Sequence, residues 1–193
     1  MRRALWAASI LLLATACGQE QDAAQAGQPV RKPLYFDVKG LLDNQTKLLT
    51  QHRPAVEKQV ALRNGTVETT RVEQVDWSKE LQIFYQADIN KPALRGAYEA
   101  QSPQAGDTIN LVKVYRRKAG IENIVDQLRV EENDTQSGAI EAVLTQDNPL
   151  FFSRKTLTLN YQHGLLNSYK VEGVQKLVMF DTLRYSATVR VLL

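Results

Sequence analysis

The second half of the chain alternates between apolar and polar positions. The clearest run is the last one, in which Leu183, Tyr185, Ala187, Val189 and Val191 alternate with polar residues. Successive side chains of a β-strand point to opposite faces of a sheet, so this period of two predicts strands with one buried face. Similar segments separated by short polar breaks lie at 96–101, 108–116, 121–131, 139–145, 151–161, 165–172 and 174–180. Connections this short join antiparallel neighbours.

Two earlier segments have helical spacing instead. Residues 34–51 predict an amphipathic helix, because their apolar side chains form one stripe: Leu34, Val38, Leu41, Leu42, Leu48 and Leu49. The polar face of this helix mixes acids with bases, whereas membrane-surface helices favour Lys and Arg, so we expect it to pack on the domain's own sheet. Residues 76–88 predict a second helix with Asp76 as N-cap and an aromatic stripe that includes Trp77 and Phe84.

A β-hairpin is predicted between the two helices. Residues 55–62 and 67–72 flank Asn64-Gly65, a dipeptide that favours the type I′ turn of tight hairpins. Together these patterns predict an α+β domain over residues 33–193. In it, two N-terminal helices and a β-hairpin pack on a curved antiparallel β-sheet of about seven to eight strands. Such a sheet twists and can curl into a partial barrel.

The first sixteen residues have the layout of a secretory signal. Arg2 and Arg3 form a basic start, and the apolar run 4–16 leads to Cys17. The run has about thirteen residues, whereas a helix needs roughly twenty to cross the hydrocarbon core of a bilayer. We therefore expect residues 1–16 to be removed rather than to remain as a transmembrane anchor.

The residues before Cys17 resemble a lipobox, with small side chains at Ala14, Thr15 and Ala16. In that class of signals the Cys thiol is alkylated with a diacylglyceryl group, and the signal is cleaved just before it. Cys17 is the only cysteine of the chain, so it cannot form an internal disulfide. The resemblance implies a lipid-anchored envelope protein. Gly18, rather than Asp, after the Cys resembles the signal for the outer membrane, with the domain facing the periplasm.

The segment between the lipid and the domain, residues 17–32, is rich in Gln, Ala and Gly and predicts a flexible tether. Removal of Arg2 and Arg3 lowers the formal net charge from +3 to near +1. Without a basic face or stripe, nucleic acid is not an expected partner. The expected partners are membrane lipid, through the acyl anchor, and another envelope protein.

The sequence contains no recognisable catalytic motif. His52 and His163 are the only histidines and have no ligand-like spacing, so we expect no metal site. Neither a G-x-S-x-G nucleophile motif nor a glycine-rich phosphate loop is present. We therefore assign no catalytic residue and no cofactor, and we expect that the protein is not an enzyme.

Three segments, 35–43, 75–81 and 87–93, resemble a group of uncharacterised envelope lipoproteins of Bacteroidetes. The resemblance covers about the first half of the mature chain. It implies the same location, but it brings no activity and no functional residues.

Two functions are compatible with these features. The first is a non-catalytic structural or accessory lipoprotein of the envelope. The second is a carrier of lipid or another apolar ligand, because a curled sheet covered by helices loosely resembles the half-barrel carriers and receptors of lipoprotein sorting. For the carrier, the candidate lining residues are Trp77, Phe84, Tyr85, Phe151 and Phe152. The alternative is that these side chains fill a solid core.

Overall fold

A computed structural model describes residues 32–61, 66–102 and 110–193. The predicted signal peptide, Cys17 and the tether up to residue 31 lie outside the described residues. Residues Pro33–Leu193 form one compact unit. All of the buried hydrophobic side chains of the described residues belong to this unit and form one core.

The first helix, α1, spans Val38–His52. It begins at Asp37, whose side chain accepts a hydrogen bond from the Gly40 N–H, and it ends at Arg53, which has a left-handed backbone. The predicted helix started four residues too early. Leu34 and Tyr35 instead form a bend before the helix, and their N–H groups donate to the side-chain oxygen of Asn90.

The second predicted helix is only partly α-helical. Helix α2 covers Trp77–Glu80, and a 3₁₀ helix follows at Gln82–Ala87. The 3₁₀ helix has three residues per turn, so positions three apart lie on the same side. This spacing places Leu81, Phe84 and Ala87 together in the core, which explains why the α-helix is not continued. A second short 3₁₀ helix lies at Pro92–Leu94.

Nine strands form a single antiparallel sheet. Their bounds are β1 Ala55–Ala61, β2 Val67–Val72, β3 Tyr98–Gln101, β4 Asn110–Arg117, β5 Val125–Asn133, β6 Gly138–Asn148, β7 Phe151–Gln162, β8 Leu165–Leu177 and β9 Leu183–Leu192. Their order across the sheet is β2-β1-β9-β8-β7-β6-β5-β4-β3. The sheet is open, with β2 and β3 at its edges. The α+β class is confirmed, with nine strands rather than seven to eight.

The hairpin β1–β2 belongs to the sheet instead of packing on it. Strand β1 pairs with β9 from Ala55↔Leu192 to Ala61↔Ser186. The physical reason is that the free edge of β9 would otherwise leave a row of backbone N–H and C=O groups without partners. The chain closes this edge with its earliest strands, which are far from β9 in sequence.

Two predicted strands, 165–172 and 174–180, are a single strand, β8. Gly173, which was expected to break them, lies inside the strand opposite Tyr185. A Cβ atom on Gly173 would lie 2.6 Å from the Tyr185 hydroxyl oxygen and 3.0 Å from the backbone oxygen of Arg154. The glycine is therefore required for close packing within the sheet rather than for a turn.

The cap of α2 gives a testable pH dependence. The Asp76 carboxylate accepts hydrogen bonds from the Ser78 hydroxyl and from Lys79, and these bonds lower its pKa to about 2. Because the pKa is lower in the folded chain, the stabilisation is present above the usual value of 3.8 and is lost as the pH falls toward 2. Asn is an equally good cap without a charge. We expect the stability advantage of the wild type over Asp76→Asn to shrink between pH 4 and pH 2 in urea titrations; a constant difference would contradict this.

Candidate functional site

The sheet has one face on which the helices pack, called here the inner face, and one outer face. On β7, Leu157 and Leu159 are buried on the inner face, and the intervening Thr158 points to the outer face. The register carries this alternation across the sheet, so that Leu159 lies between Ile140 and Tyr169. The inner face is therefore the core side of the domain.

Helix α1 is fixed to one end of the inner face by a buried glutamine. The Gln45 side-chain nitrogen donates to the Gly164 carbonyl oxygen at 2.9 Å, and its oxygen accepts from the Leu166 N–H at 2.9 Å. These bonds join the helix to the turn between β7 and β8. They also satisfy the polar groups of Gln45 in an apolar environment.

A polar clamp, Lys58–Glu80–Tyr169, fixes α2 to the middle of the sheet. The Lys58 ammonium lies 2.7 and 2.6 Å from the two carboxylate oxygens of Glu80, and the Tyr169 hydroxyl donates to the same carboxylate. Burial, and then the bond to Glu80, raise the pKa of Tyr169, so its phenol stays a protonated donor. The ring of Phe84 meets that of Tyr169 edge to face at 5.5 Å. Both donors bind the Glu80 carboxylate, so the clamp holds α2 on the sheet.

Beyond the clamp the cover from the helices decreases along the strands: Val171 still packs on the core and Lys155 donates to Gln86 of the 3₁₀ helix, whereas Leu177 and Leu183 are exposed. The register places Val171 opposite Ala187, Gly173 opposite Tyr185, and Leu177 opposite Phe151. These side chains are half-buried or exposed, unlike the buried rows under the helices. We call this surface the apolar strip and define it by Phe151, Val171, Leu177, Leu183, Tyr185 and Ala187. Val60 of β1 continues it toward the sheet edge.

The outer face behind the apolar strip is mostly polar, apart from Phe152 and Val174. Arg154, Glu172 and Arg184 occupy it, and Lys170 pairs with Glu172 at 2.5 Å. The register places the exposed apolar side chains of β8 and β9, Leu177 and Leu183, on the inner face. A surface of this kind can bind an apolar ligand along one side of the sheet.

No family model matches the chain, and no curated protein or solved structure is significantly similar to it.

The structure does not bring the five predicted lining residues together. Trp77 and Phe84 are buried in the core, and the half-buried Tyr85 donates to Asp43 at 2.7 Å. Phe151 and Phe152 are adjacent on β7, so their side chains point to opposite faces. Phe151 alone is part of the apolar strip.

The residues that sequence reasoning missed are on β8 and β9. Leu183, Tyr185 and Ala187 belonged to the clearest alternating segment, but alternation does not distinguish a core position from an uncovered one. Val171 lies in a segment whose polar neighbours resemble those of any half-buried strand. The missing signal is the length of the helical layer, because the covering helices end before the strands do.

Two surface cavities formed by the described residues are lined mostly by polar or charged residues. A cleft of about 450 Å³ lies between α1 and the far end of the sheet, with Leu41, Leu111, Glu132 and Tyr161 among its walls. Burial, together with the charge of Glu132, raises the pKa of Tyr161 to about 12. A smaller cavity of about 350 Å³ has Arg116 and Arg154 among its walls. The predicted lining residues are not in the walls of either cavity.

The two histidines lie in separate elements. His52 is in the last turn of α1, and His163 is in the turn between β7 and β8. Within residues 32–61, 66–102 and 110–193, no three His, Cys, Asp or Glu side chains form a group that could hold a metal ion. In the same part of the chain, no helix has the length and apolarity needed to cross a bilayer.

Proposed function

We propose that the chain is an envelope lipoprotein, anchored through acyl groups on Cys17 and located at the outer membrane facing the periplasm. In this proposal its domain acts by binding an apolar ligand, such as the acyl chain of a lipid, rather than by catalysis. The single observation that carries the proposal is the apolar strip, which extends the inner face of the sheet beyond the covering helices.

The dimensions of the apolar strip fit an acyl chain. From Val171 to Leu177, β8 rises by about 20 Å at ~3.4 Å per residue. One acyl chain spans one leaflet, which is about half of the ~30 Å hydrocarbon core of a bilayer. Each methylene transferred from water to an apolar surface stabilises a complex by about 0.8 kcal/mol. A chain on a surface of this length would lie mainly on apolar side chains and would also pass Gln175 and Ser153, which pair on the same face.

A second candidate function is a structural or accessory subunit of an envelope assembly. It is favoured by the two edge strands, β2 and β3, since an edge strand can pair with a strand of another protein. This function needs no apolar ligand. Binding measurements with an isolated fatty acid therefore distinguish the two candidates.

The test uses a chain that begins at Gly18 and contains the whole compact unit. A stearate carrying an anthroyloxy fluorophore is titrated with the wild type and with Val171→Asp. Because the new carboxylate would have to be desolvated under the ligand, we expect binding at least about tenfold weaker. The matched control is Val174→Asp, on the outer face of the same strand between Arg154 and Arg184, where a negative charge is tolerated.

The control should bind like the wild type. Equal binding by the wild type and Val171→Asp, or no binding by the wild type, would contradict the proposal and favour the accessory function.

A further inference from the structure

Two neighbouring turns at one end of the sheet carry Leu150, Met179 and Phe180, which are the most exposed apolar side chains of the described residues apart from the C-terminal Leu193. One turn joins β6 to β7 and contains Leu150; the other joins β8 to β9 and contains Val178, Met179 and Phe180. Their exposed fractions are 72% for Leu150, 53% for Val178, 96% for Met179 and 72% for Phe180. We call these four residues the apolar tip. Adjacent exposed apolar side chains of this size mark a surface that contacts another phase or molecule.

The apolar tip is held together by hydrogen bonds. The Val178 N–H donates to the Leu150 carbonyl oxygen at 3.1 Å, which joins the two turns. Within the first turn, the Asn148 side chain accepts from the N–H groups of Leu150 and Phe151. Met179 has a φ of 73°, a left-handed conformation that is uncommon for a residue with a long side chain. The exposed side chains are therefore presented by an ordered element.

The charges around the apolar tip are mainly positive. Residues 147–155 and 174–185 contain four basic residues and two acids, namely Arg154, Lys155, Lys176 and Arg184 against Asp147 and Asp181. The opposite end of the sheet has the reverse sign. The segments around its two turns, residues 131–138 and 160–167, contain three acids and no Lys or Arg: Glu131, Glu132 and Asp134. An anionic surface would therefore attract the end that carries the apolar tip.

We propose that the apolar tip inserts into the lipid bilayer, with the surrounding Lys and Arg side chains facing anionic headgroups. The inference rests on the proposed function for its location, because the anchor on Cys17 would hold the domain close to a membrane. Fifteen residues between the anchor and Pro33 can span at most about 50 Å, which keeps the domain near the lipid surface. Basic side chains beside exposed apolar ones are the combination that binds anionic membranes.

The apolar tip is also continuous with the apolar strip. Leu177 and Phe151, the last pair of the strip, immediately adjoin Val178 and Leu150. A tip inserted in the bilayer would open the strip directly to the hydrocarbon phase. The ligand that could move between the two without crossing water is an acyl chain of a membrane lipid.

The test is sedimentation of the chain beginning at Gly18, which lacks Cys17, with vesicles of three parts phosphatidylethanolamine and one part phosphatidylglycerol. We expect the wild type to bind and the double variant Met179→Ser, Phe180→Ser to lose at least tenfold in partition. The matched control is Val67→Ser, Leu111→Ser, which removes two exposed apolar side chains elsewhere. It should bind like the wild type. The double variant Lys176→Glu, Arg184→Glu should also bind these vesicles more weakly, because its new carboxylates are repelled by phosphatidylglycerol. Binding equal to that of the wild type would contradict a contribution of these two charges.

Failure of this proposal is distinguishable from failure of the proposed function. A wild type that binds the fluorescent stearate but does not sediment with vesicles, or a tip variant that sediments like the wild type, overturns the membrane contact alone. A tip variant that loses vesicle binding but still binds the stearate supports it. Vesicle binding that depends on the apolar tip, in a chain that binds no stearate, supports the membrane contact and overturns the ligand function.

Discussion

Replacing Phe84 with Ala is expected to lower the free energy of unfolding by about 3–5 kcal/mol. The side chain is 1% exposed, and its ring packs edge to face on Tyr169. Truncation removes both the buried apolar area and the aromatic contact, and it leaves a cavity between the 3₁₀ helix and the sheet. Urea denaturation followed by circular dichroism measures the change.

Phe84→Leu provides the control, because it keeps most of the buried volume and should cost less than Phe84→Ala. The folded fraction of Phe84→Ala should still bind the fluorescent stearate, since Phe84 belongs to the core and not to the apolar strip. A variant that kept its stability but lost the ligand would show that Phe84 lines a binding site, which was one of the two roles considered from the sequence.

Glu80→Ala is expected to lower the free energy of unfolding by about 2–3 kcal/mol. Its carboxylate accepts from both Lys58 and Tyr169, so its removal leaves an ammonium group and a buried phenol without their partner. Removing one partner of a fully buried ion pair costs about 3–5 kcal/mol. The value expected here is lower, because Lys58 and Glu80 remain partly exposed and water can replace some of the lost interaction.

Tyr169→Phe is the matched variant for the clamp. It removes one hydrogen bond to a charged group and keeps the ion pair, so the expected cost is about 1–2 kcal/mol. Equal losses for Glu80→Ala and Tyr169→Phe would mean that Lys58 does not contribute to holding α2 on the sheet. Both losses are measurable in the same urea titrations.

Local patterns predicted most of the secondary structure. The alternation of residues 183–191 corresponds to β9, and the hairpin predicted around Asn64-Gly65 corresponds to β1 and β2. Asp76 was correctly identified as an N-cap. These features depend on a few neighbouring residues, whose backbone preferences and side-chain spacing are readable from the sequence.

The pairing of distant segments was not predictable in the same way. Nothing local to β1 indicates that its partner is β9, more than 120 residues later, because that choice depends on which strand edge is free in the assembled sheet. The predicted strand break at Gly173 was wrong for a similar reason. The role of this glycine depends on Tyr185, which comes beside it only after β8 and β9 have paired.

The candidate site also depends on contacts between distant segments, which the sequence pattern does not show. Large aromatic residues were candidates either for lining a ligand site or for filling the core, and Trp77 and Phe84 pack in the core between the helices and the sheet. The proposed site consists of smaller strand residues such as Val171 and Ala187. They became candidates only in the structure, because the helices do not cover the full length of the strands. The extent of this cover is a property of the whole fold and not of the local sequence.

The apolar strip and the apolar tip would allow a lipid-anchored domain to exchange an acyl chain with the membrane beneath it. The covered half of the inner face supplies stability, through the core, Gln45 and the clamp around Glu80. In the proposed function, the remaining part of the inner face binds the ligand. The outer face, with Lys170 and Glu172, lies on the opposite side of the sheet from the proposed ligand.

The most direct test is photo-crosslinking with palmitate that carries a diazirine on its acyl chain, followed by peptide mass spectrometry. After irradiation with the chain beginning at Gly18, we expect adducts on β8 and β9 between Val171 and Ala187, and their loss in Val171→Asp but not in Val174→Asp. Adducts that are absent, that spread over the surface, or that concentrate at the cleft beside Leu41 and Leu111 would contradict binding on the uncovered inner face.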